Sequence, residues 1–398
     1  MSDMATKRPQ AGWTTVAFGD VVRQVKDKVD PEASGLERYV AGEHMDTDDL
    51  RIRRWGEIGD GYLGPAFHMR FKPGQVLYGS RRTYLRKVAV ADFEGITANT
   101  TYVLESANPD VLLPELLPFI MQTEAFNQHS VRESKGSVNP YVNFSDLAWF
   151  EFTLPPIEEQ RRAILVLSRC RVMSSCLESA AVSLRAIEEA TLEQIAASSE
   201  CDHLELGSLL IDSPRNGCSA HPASSPTGHF VFALSAITPW GYRPGELKPV
   251  EPTPEMLAAR ATKGDLFVSR SNTRDRVGLP MLFSEDRDDV SYPDTMMRLR
   301  FDEERTAPGF MECALRSKRC RKQIESFAAG TSASMKKISG ANIRRVRVPH
   351  PTLPAQREFL ALRDRLRRQA EAVAERVEGI HLVASAVMAR PASGEERG

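Results

Sequence analysis

Leu154-Pro155-Pro156-Ile157-Glu158-Glu159-Gln160-Arg161 ends one kind of chain and begins another. Before it stands Phe150-Glu-Phe-Thr, a short strand-like run. After it, Ile157 to Ser199 contains neither proline nor glycine. Proline is tolerated in the first turn of a helix, where its missing N–H would be unpaired anyway. The stretch therefore predicts a long helix entered through its prolines. A second version follows later: Val346-Arg-Val348, then Pro351-Thr-Leu-Pro354-Ala-Gln356-Arg357, then a helical run to about Ala389. This copy lacks the glutamate that precedes Gln160.

Working outward, more pieces recur in the same order. Phe71-Lys-Pro-Gly74-Gln-Val-Leu-Tyr78 precedes Gly79-Ser-Arg-Arg82, and Ala261-Thr-Lys-Gly264-Asp-Leu-Phe-Val268 precedes Ser269-Arg-Ser-Asn272. Helix-like stretches from Glu115 to Ser134 and from Phe310 to Ala329 end at Gly136-Ser137 and Gly330-Thr331. The offset is 190 at the turn glycines, 194 at Gly136/Gly330 and 196 at Gln160/Gln356. Four pieces in one order, drifting as loop insertions would make them, indicate an internal duplication. Strand-like runs are Val76–Tyr78, Val88–Val90, Thr101–Leu104, Phe230–Leu234, Leu266–Val268 and Met296–Phe301.

Both long helices carry a heptad, the pattern of a coiled-coil seam. In the first it runs Ala163, Val166, Cys170, Met173, Leu177, Ala180, Leu184, Ile187, Thr191, Gln194. In the second it runs Phe359, Leu362, Leu366, Gln369, Val373, Arg376, Ile380, Val383, Val387, with Arg376 and the neighbouring Gly379 as weak points. Neither half holds a second long helix. A helix apolar along one stripe leaves that stripe wet unless it is covered, so the two are expected to pack on each other, antiparallel. At ~1.5 Å per residue they would reach roughly 65 and 54 Å. The expected fold class is α+β: two similar α/β globules separated by two long helices in an antiparallel coiled coil, with a pseudo-two-fold relation. The boundaries are 1–156 for the first globule and 157–200 for the central spacer helix. The second globule is 201–350, and the C-terminal helix and tail are 351–398.

Composition narrows the function. Of 398 residues, 26% are charged and 41% hydrophobic, with 52 Lys+Arg against 53 Asp+Glu and a net charge of −1. That is a globular composition, and it argues against DNA binding by bulk charge alone. Charge is nevertheless segregated: Lys318 to Arg347 holds nine basic residues and one acid, Glu325. Arg345 and Arg347 are expected on one strand face and Arg344 on the other. No window is long and apolar enough to span a bilayer, the start lacks an apolar signal core, and the six cysteines are irregularly spaced. The expectation is a cytoplasmic protein with no membrane partner and no disulfide framework.

Two similar modules separated by a spacer match the antiparallel symmetry of duplex DNA; modules of different sequence imply a bipartite, asymmetric target. The tandem order of strand, Gly-Ser-Arg loop, helix, Gly-Ser/Thr loop, strand, Pro-Pro-x-x-Glu-Gln-Arg and long helix resembles the specificity subunits of type I restriction–modification systems. Leu154 to Arg161 carries the resemblance most specifically, and Gly95-Ile-Thr-Ala-Asn-Thr-Thr-Tyr102 adds to it. The resemblance implies that the globules are target-recognition domains and that the chain has no catalytic centre. It further implies double-stranded DNA, two methyltransferase subunits and restriction or motor subunits as partners. No cofactor is implied in this chain, and S-adenosylmethionine belongs to the partner methyltransferase. The setting would be DNA methylation and phage defence, in this system or a related complex with another effector.

Candidate DNA contacts lie in the repeated loops: Ser80, Arg81, Arg82 and Tyr84, matched by Arg270, Asn272, Thr273 and Arg274; and Ser137, Asn139 and Tyr141, matched by Thr331, Ser332, Lys336 and Lys337. Arginine can pair with guanine and asparagine with adenine in the major groove, and all of these can hold phosphates. A solvated turn is the plainer alternative. Gly59-Asp-Gly-Tyr-Leu-Gly64 fits a dinucleotide pattern, but Pro65 follows where a helix should open. Asn139-Pro-Tyr141 falls one proline short of an adenine methyltransferase motif. Asp110 with Glu133 and Lys135 loosely fits a Mg-dependent site-specific nuclease, and Cys201, His203, Cys218 and His221 could supply zinc ligands in an uncommon spacing. A scaffold that binds only proteins is a further alternative.

Overall fold

The structure, a computed structural model, describes residues 12–219, 221–225, 227–330 and 335–388. The chain divides into two compact units. The first comprises residues up to Glu178 and those from Glu375 onward; the second is Ser179–Ala374. The division passes through both long helices, Ile157–Ala197 and Leu353–Met388. Each unit is thus one globule plus a portion of each helix. Among the described residues no helix is long and apolar enough to cross a membrane.

In the first unit a four-stranded antiparallel sheet has the order Val22–Val25, Thr101–Ser106, Val76–Gly79, Val88–Val90. A second sheet has the order Gly56–Glu57, Arg38–Val40, Gly95–Ala98, Phe67–Phe71, with its middle pair parallel. Thr14–Ala17 pairs with Glu151–Leu154 and brings both ends of the globule to the start of the central helix.

The second unit repeats this plan. Its four-stranded sheet has the order Arg215–Asn216, Met296–Leu299, Leu266–Ser269, Pro280–Leu282. Leu266 faces Leu299 as Val76 faces Leu104. Phe230–Phe232 and Val290–Ser291 form the parallel pair, and Asp202–Glu205 pairs with Arg347–His350 at the foot. The fourth strand of the second sheet shrinks to one bridge, Arg260 to Ser291. Gly74 and Gly264 turn the chain at φ +87° and +92°, a region that disfavours side chains.

The Pro-Pro-x-x-Glu-Gln-Arg stretch owes its role to its glutamine. Gln160 is buried; its Oε1 accepts from Leu113 N–H at 2.9 Å, and its Nε2 donates to the carbonyls of Val111 and Pro155 at 2.8 Å. Gln356 is buried in the same way. Its Oε1 accepts from Ala307 N–H at 2.8 Å, and its Nε2 donates to Arg305 and Pro351 carbonyls at 3.2 and 2.9 Å. Each glutamine ties a helix start to its globule. Among the described residues Glu159 pairs with Arg162 on the surface, so its absence beside Gln356 leaves the clamp intact.

The helices pack antiparallel within each unit. In the first, Ala163, Ile164 and Leu167 share a core with Ala384, Val387 and Met388; in the second, Leu192 and Ile195 share one with Phe359 and Leu360. Alternate heptad positions shift from the expected ones by a single residue. The central helix covers Ala163, Leu167, Cys170, Ser174 and Leu177, then Ala181, Leu184, Glu188, Thr191 and Ile195. Val166, Met173 and Ile187 are exposed. On the C-terminal helix Val377 and Ala384 replace Arg376 and Val383, which face water. The phase is set by the globules, whose cores take in Leu167 and Ile195. Glu188 is accommodated on the seam 3.7 Å from Arg367.

Two other expectations are corrected. Each helix-like stretch is two helices: Leu117–Met121 and Glu124–Arg132, then Pro308–Arg316 and Lys318–Phe327. Thr123 and Ser317 break them, each side chain accepting from the N–H three residues on, as N-caps do. Arg344 and Arg345 do not lie on a strand. A short helix, Gly340–Arg344, runs through Arg345 as its C-cap, and the strand begins at Arg347.

Candidate nucleic-acid interface

In the first unit the two candidate loops are stitched together by backbone. Ser80 is buried: its N–H and hydroxyl both donate to the Thr100 carbonyl, at 3.0 and 2.7 Å. Its own carbonyl accepts from Val142 N–H at 3.0 Å. Arg82 N–H donates to Pro140 carbonyl at 2.6 Å, and Lys135 and Tyr141 exchange N–H···O bonds of 2.7 and 2.9 Å. Ser80 is therefore an anchor, its side chain turned inward, and Arg81, Arg82 and Tyr84 project. The Arg81 guanidinium lies 5.3 Å from the centre of the Tyr141 ring, a contact that attracts the cation without neutralising it. Arg82 sits at φ +49°, costly for a residue with a side chain and typical of functional turns. Ser137 and Asn139 are exposed.

The second unit makes the same stitches. Arg270 N–H donates to Thr295 carbonyl at 2.7 Å, and Ile338 N–H donates to Arg270 carbonyl at 3.0 Å. Ala329 and Lys337 exchange bonds of 2.9 and 2.8 Å, and Ser271–Asn272 pairs antiparallel with Lys336–Lys337. Arg270, Asn272, Lys336 and Lys337 thus converge on one edge. Asn272 is partly occupied: its Oδ1 accepts from Thr273 N–H at 2.9 Å, and its Nδ2 lies 3.4 Å from Ser269 Oγ. The Thr273 carbonyl accepts from Arg276 and Val277 and shapes the turn. Arg274 is exposed, 3.7 Å from Glu325. Thr331 and Ser332 lie outside the described residues.

Charge on both faces is mostly free to meet an anion. Among the described residues, no carboxylate lies within ion-pairing distance of Arg81, Arg82, Arg270, Lys336 or Lys337. Lys135 is different: its Nζ donates to Asp146 Oδ2 at 2.8 Å. That bond holds the Asp146 carboxyl below its usual range and raises Lys135, so both stay charged as a pair. Arg321, from the basic cluster, is structural; it donates to the carbonyls of Val277 and Asp275, and burial lowers its pKa.

Two of the three charged groups of the rival nuclease set are engaged in surface ion pairs. Glu133 pairs with Arg132 at 2.9 Å and Lys135 with Asp146. Among the described residues no group of three or more His, Cys, Asp or Glu is gathered to hold a metal ion. Sequence reasoning missed the anchoring turns, Asn99-Thr100 and Asp294-Thr295. Their contribution is backbone carbonyls, which leave no side-chain signature; applying the repeat period to the quoted Gly95–Tyr102 segment would have found them.

No family model matches the chain. Over 156 residues, 38% of its length, it is 24% identical to the type I restriction enzyme EcoDI specificity subunit of Escherichia coli, and the match spans 33% of that relative. A chain solved in work on complex assembly and conformational transition of a type I restriction–modification system superposes with a TM-score of 0.58 and 18% identity, covering 97% of this chain and 99% of that one. The S subunit of the type I system of M. genitalium superposes with a TM-score of 0.52 and 12% identity, covering 94% and 95%. In fold over nearly its whole length, and in sequence over part of it, the chain is similar to the specificity subunits of type I restriction–modification systems.

Proposed function

We propose that the chain is a sequence-specific DNA-recognition subunit that reads a bipartite, asymmetric duplex target and positions partner enzymes on it. One observation carries the reading: both units close the same two loops with the same backbone bonds, yet present different side chains. The first offers Arg81, Arg82, Tyr84, Ser137, Asn139 and Tyr141; the second offers Arg270, Asn272, Arg274, Lys336 and Lys337. A constant frame with variable contents is what reading two different half-sites requires. Arginine and asparagine supply base contacts; the lysines and remaining arginines supply phosphate contacts.

In this reading the chain performs no chemistry. An adenine methyltransferase subunit brings S-adenosylmethionine and flips the target base from the duplex; two such subunits, one per half-site, follow from the duplication, with restriction subunits joining them. The exposed Leu165, Val166, Val172 and Met173 on the central helix of the first unit, with Val182 and Ile187 in the second, give partner subunits apolar surface to cover.

The test is base-resolution methylation mapping in cells with and without the chain and a methyltransferase encoded beside it. The expected result is a modified bipartite motif that disappears on deletion, with exchange of residues 12–156 changing one half only. A methylation pattern indifferent to the chain would sink the reading.

A further inference from the structure

The segment Gly59-Asp-Gly-Tyr-Leu-Gly64 is not a nucleotide loop, since Pro65 and the strand Phe67–Phe71 follow it. It does end against the candidate interface. Asn99 N–H donates to Ala66 carbonyl at 2.9 Å, and the next residue, Thr100, is the one that anchors Ser80. Gly59 to Tyr62 are exposed, and a Cβ added at Gly59, Gly61 or Gly64 would meet nothing within 4 Å. At its tip Tyr62 is 91% exposed, against 54% for Tyr84. Four residues of chain keep the Tyr62 Cα within ~14 Å of Ala66. Ile58 to Pro65 carries one acid, Asp60, and no lysine or arginine. It has no cationic side chain with which to neutralise phosphates. What it offers is a flat amphipathic ring, which stacks on bases or wedges between base steps.

We propose that Tyr62 is a specificity-determining DNA contact of the first unit, its ring packed against bases of that unit's half-site. The inference rests on the DNA-recognition reading. It also predicts asymmetry. In the second unit the equivalent turn is bordered by a different segment, with Asp294 N–H donating to Cys218 carbonyl at 3.1 Å.

The experiment is selection from a pool of random-sequence duplexes by the full-length chain with its methyltransferase partner. Affinity for the selected duplex is then measured across a salt series for wild type, Tyr62→Ala, Tyr62→Phe and Arg82→Ala. The expected result is that Tyr62→Ala weakens binding about 5- to 150-fold, the range for one base–aromatic stack. It should also relax selection in one half-site and leave the salt slope unchanged; Tyr62→Phe should stay near wild type. Arg82→Ala should lower the slope by about one, since slope counts phosphates neutralised. If wild type and Tyr62→Ala select the same motif with equal affinity, the inference falls and DNA recognition stands. If wild type selects no motif, both fall.

Discussion

The two units solve one structural problem with opposite chemistry. In the central sheet Val103 faces Leu77 in the first unit, and Arg298 faces Phe267 at the matching place in the second. Val103 is fully buried in an apolar cluster. Arg298 is nearly as buried, 3.4 Å from Asp265 and donating to the Arg260 carbonyl at 3.0 Å. Asp265 also accepts from Thr262 N–H at 2.8 Å and lies 3.2 Å from Arg300. The first unit has Gln75 in that position, bonded to Glu105. Strand order and register survive this exchange of charge for hydrocarbon. What the units share is therefore the backbone ladder and two buried glutamines, and sequence similarity between them is correspondingly low.

The comparison breaks most sharply at the pair of Arg298 and Asp265. Removing Arg298 leaves Asp265 its pairing with Arg300, whereas removing Asp265 leaves the buried Arg298 guanidinium without its carboxylate, a loss of about 3–5 kcal/mol. Asp265→Ala is expected to destabilise the second unit by that order, read by denaturant unfolding and by hydrogen exchange confined to residues 179–374. The pair Arg298→Val with Asp265→Gln imports the first unit's solution and should recover most of the loss, because well-packed apolar replacements of buried pairs are often neutral. A double variant as unstable as the single one would show that the two sheets are not equivalent environments.

The next effect concerns what the sequence could show. The order of elements and their duplication were legible because turn glycines, prolines and apolar runs recur at a nearly fixed period. The phase of the coiled coil was not. Counting apolar residues favours Val166 and Met173 over Leu167 and Ser174; only the globule's core, which takes in Leu167, decides otherwise. The repeat likewise located the right loops, but Ser80 turns inward because the Thr100 carbonyl, distant in sequence, captures it. The phase has a direct check. Leu167→Ala should cost about 2–5 kcal/mol, as for buried leucines, and Val166→Ala less than about 0.5, as on surfaces. Thermal unfolding of the two variants separates the phases, and reversed costs would restore the phase expected from sequence.

Gln160 and Gln356 sharpen the comparison from the other side, since here the units agree. Truncating either to alanine strands one buried N–H and two carbonyls, a loss of about 1–3 kcal/mol. Equal penalties are expected, with hydrogen exchange rising at 111–113 for Gln160→Ala and at 305–307 for Gln356→Ala. A large penalty at Gln160 only would mean that Glu159 takes part in the clamp after all.

The smallest expected difference is one of acid sensitivity. Three histidines whose pKa is lowered by burial, His203, His229 and His350, all lie in the second unit. Nearby arginines add to the effect at two of them: Arg319 and Arg347 at His203, and Arg260 at His229. The folded state prefers these rings neutral, and the unfolded chain takes up protons near the ordinary value of about 6.5. The stabilisation is complete above that pH and is lost as pH falls from about 6.5 toward the depressed native values. In the first unit the groups shifted downward include the carboxylates Asp49, Glu105 and Asp146. Their contribution holds above about 4 and fades below it. Between those limits the second unit should loosen first. Hydrogen exchange from pH 7 to 5, corrected for intrinsic rates, should show protection falling in residues 201–350 and holding in 14–154. Simultaneous loss in both would place the acid-sensitive groups elsewhere, and substituting His229 by Asn should then leave the profile unmoved.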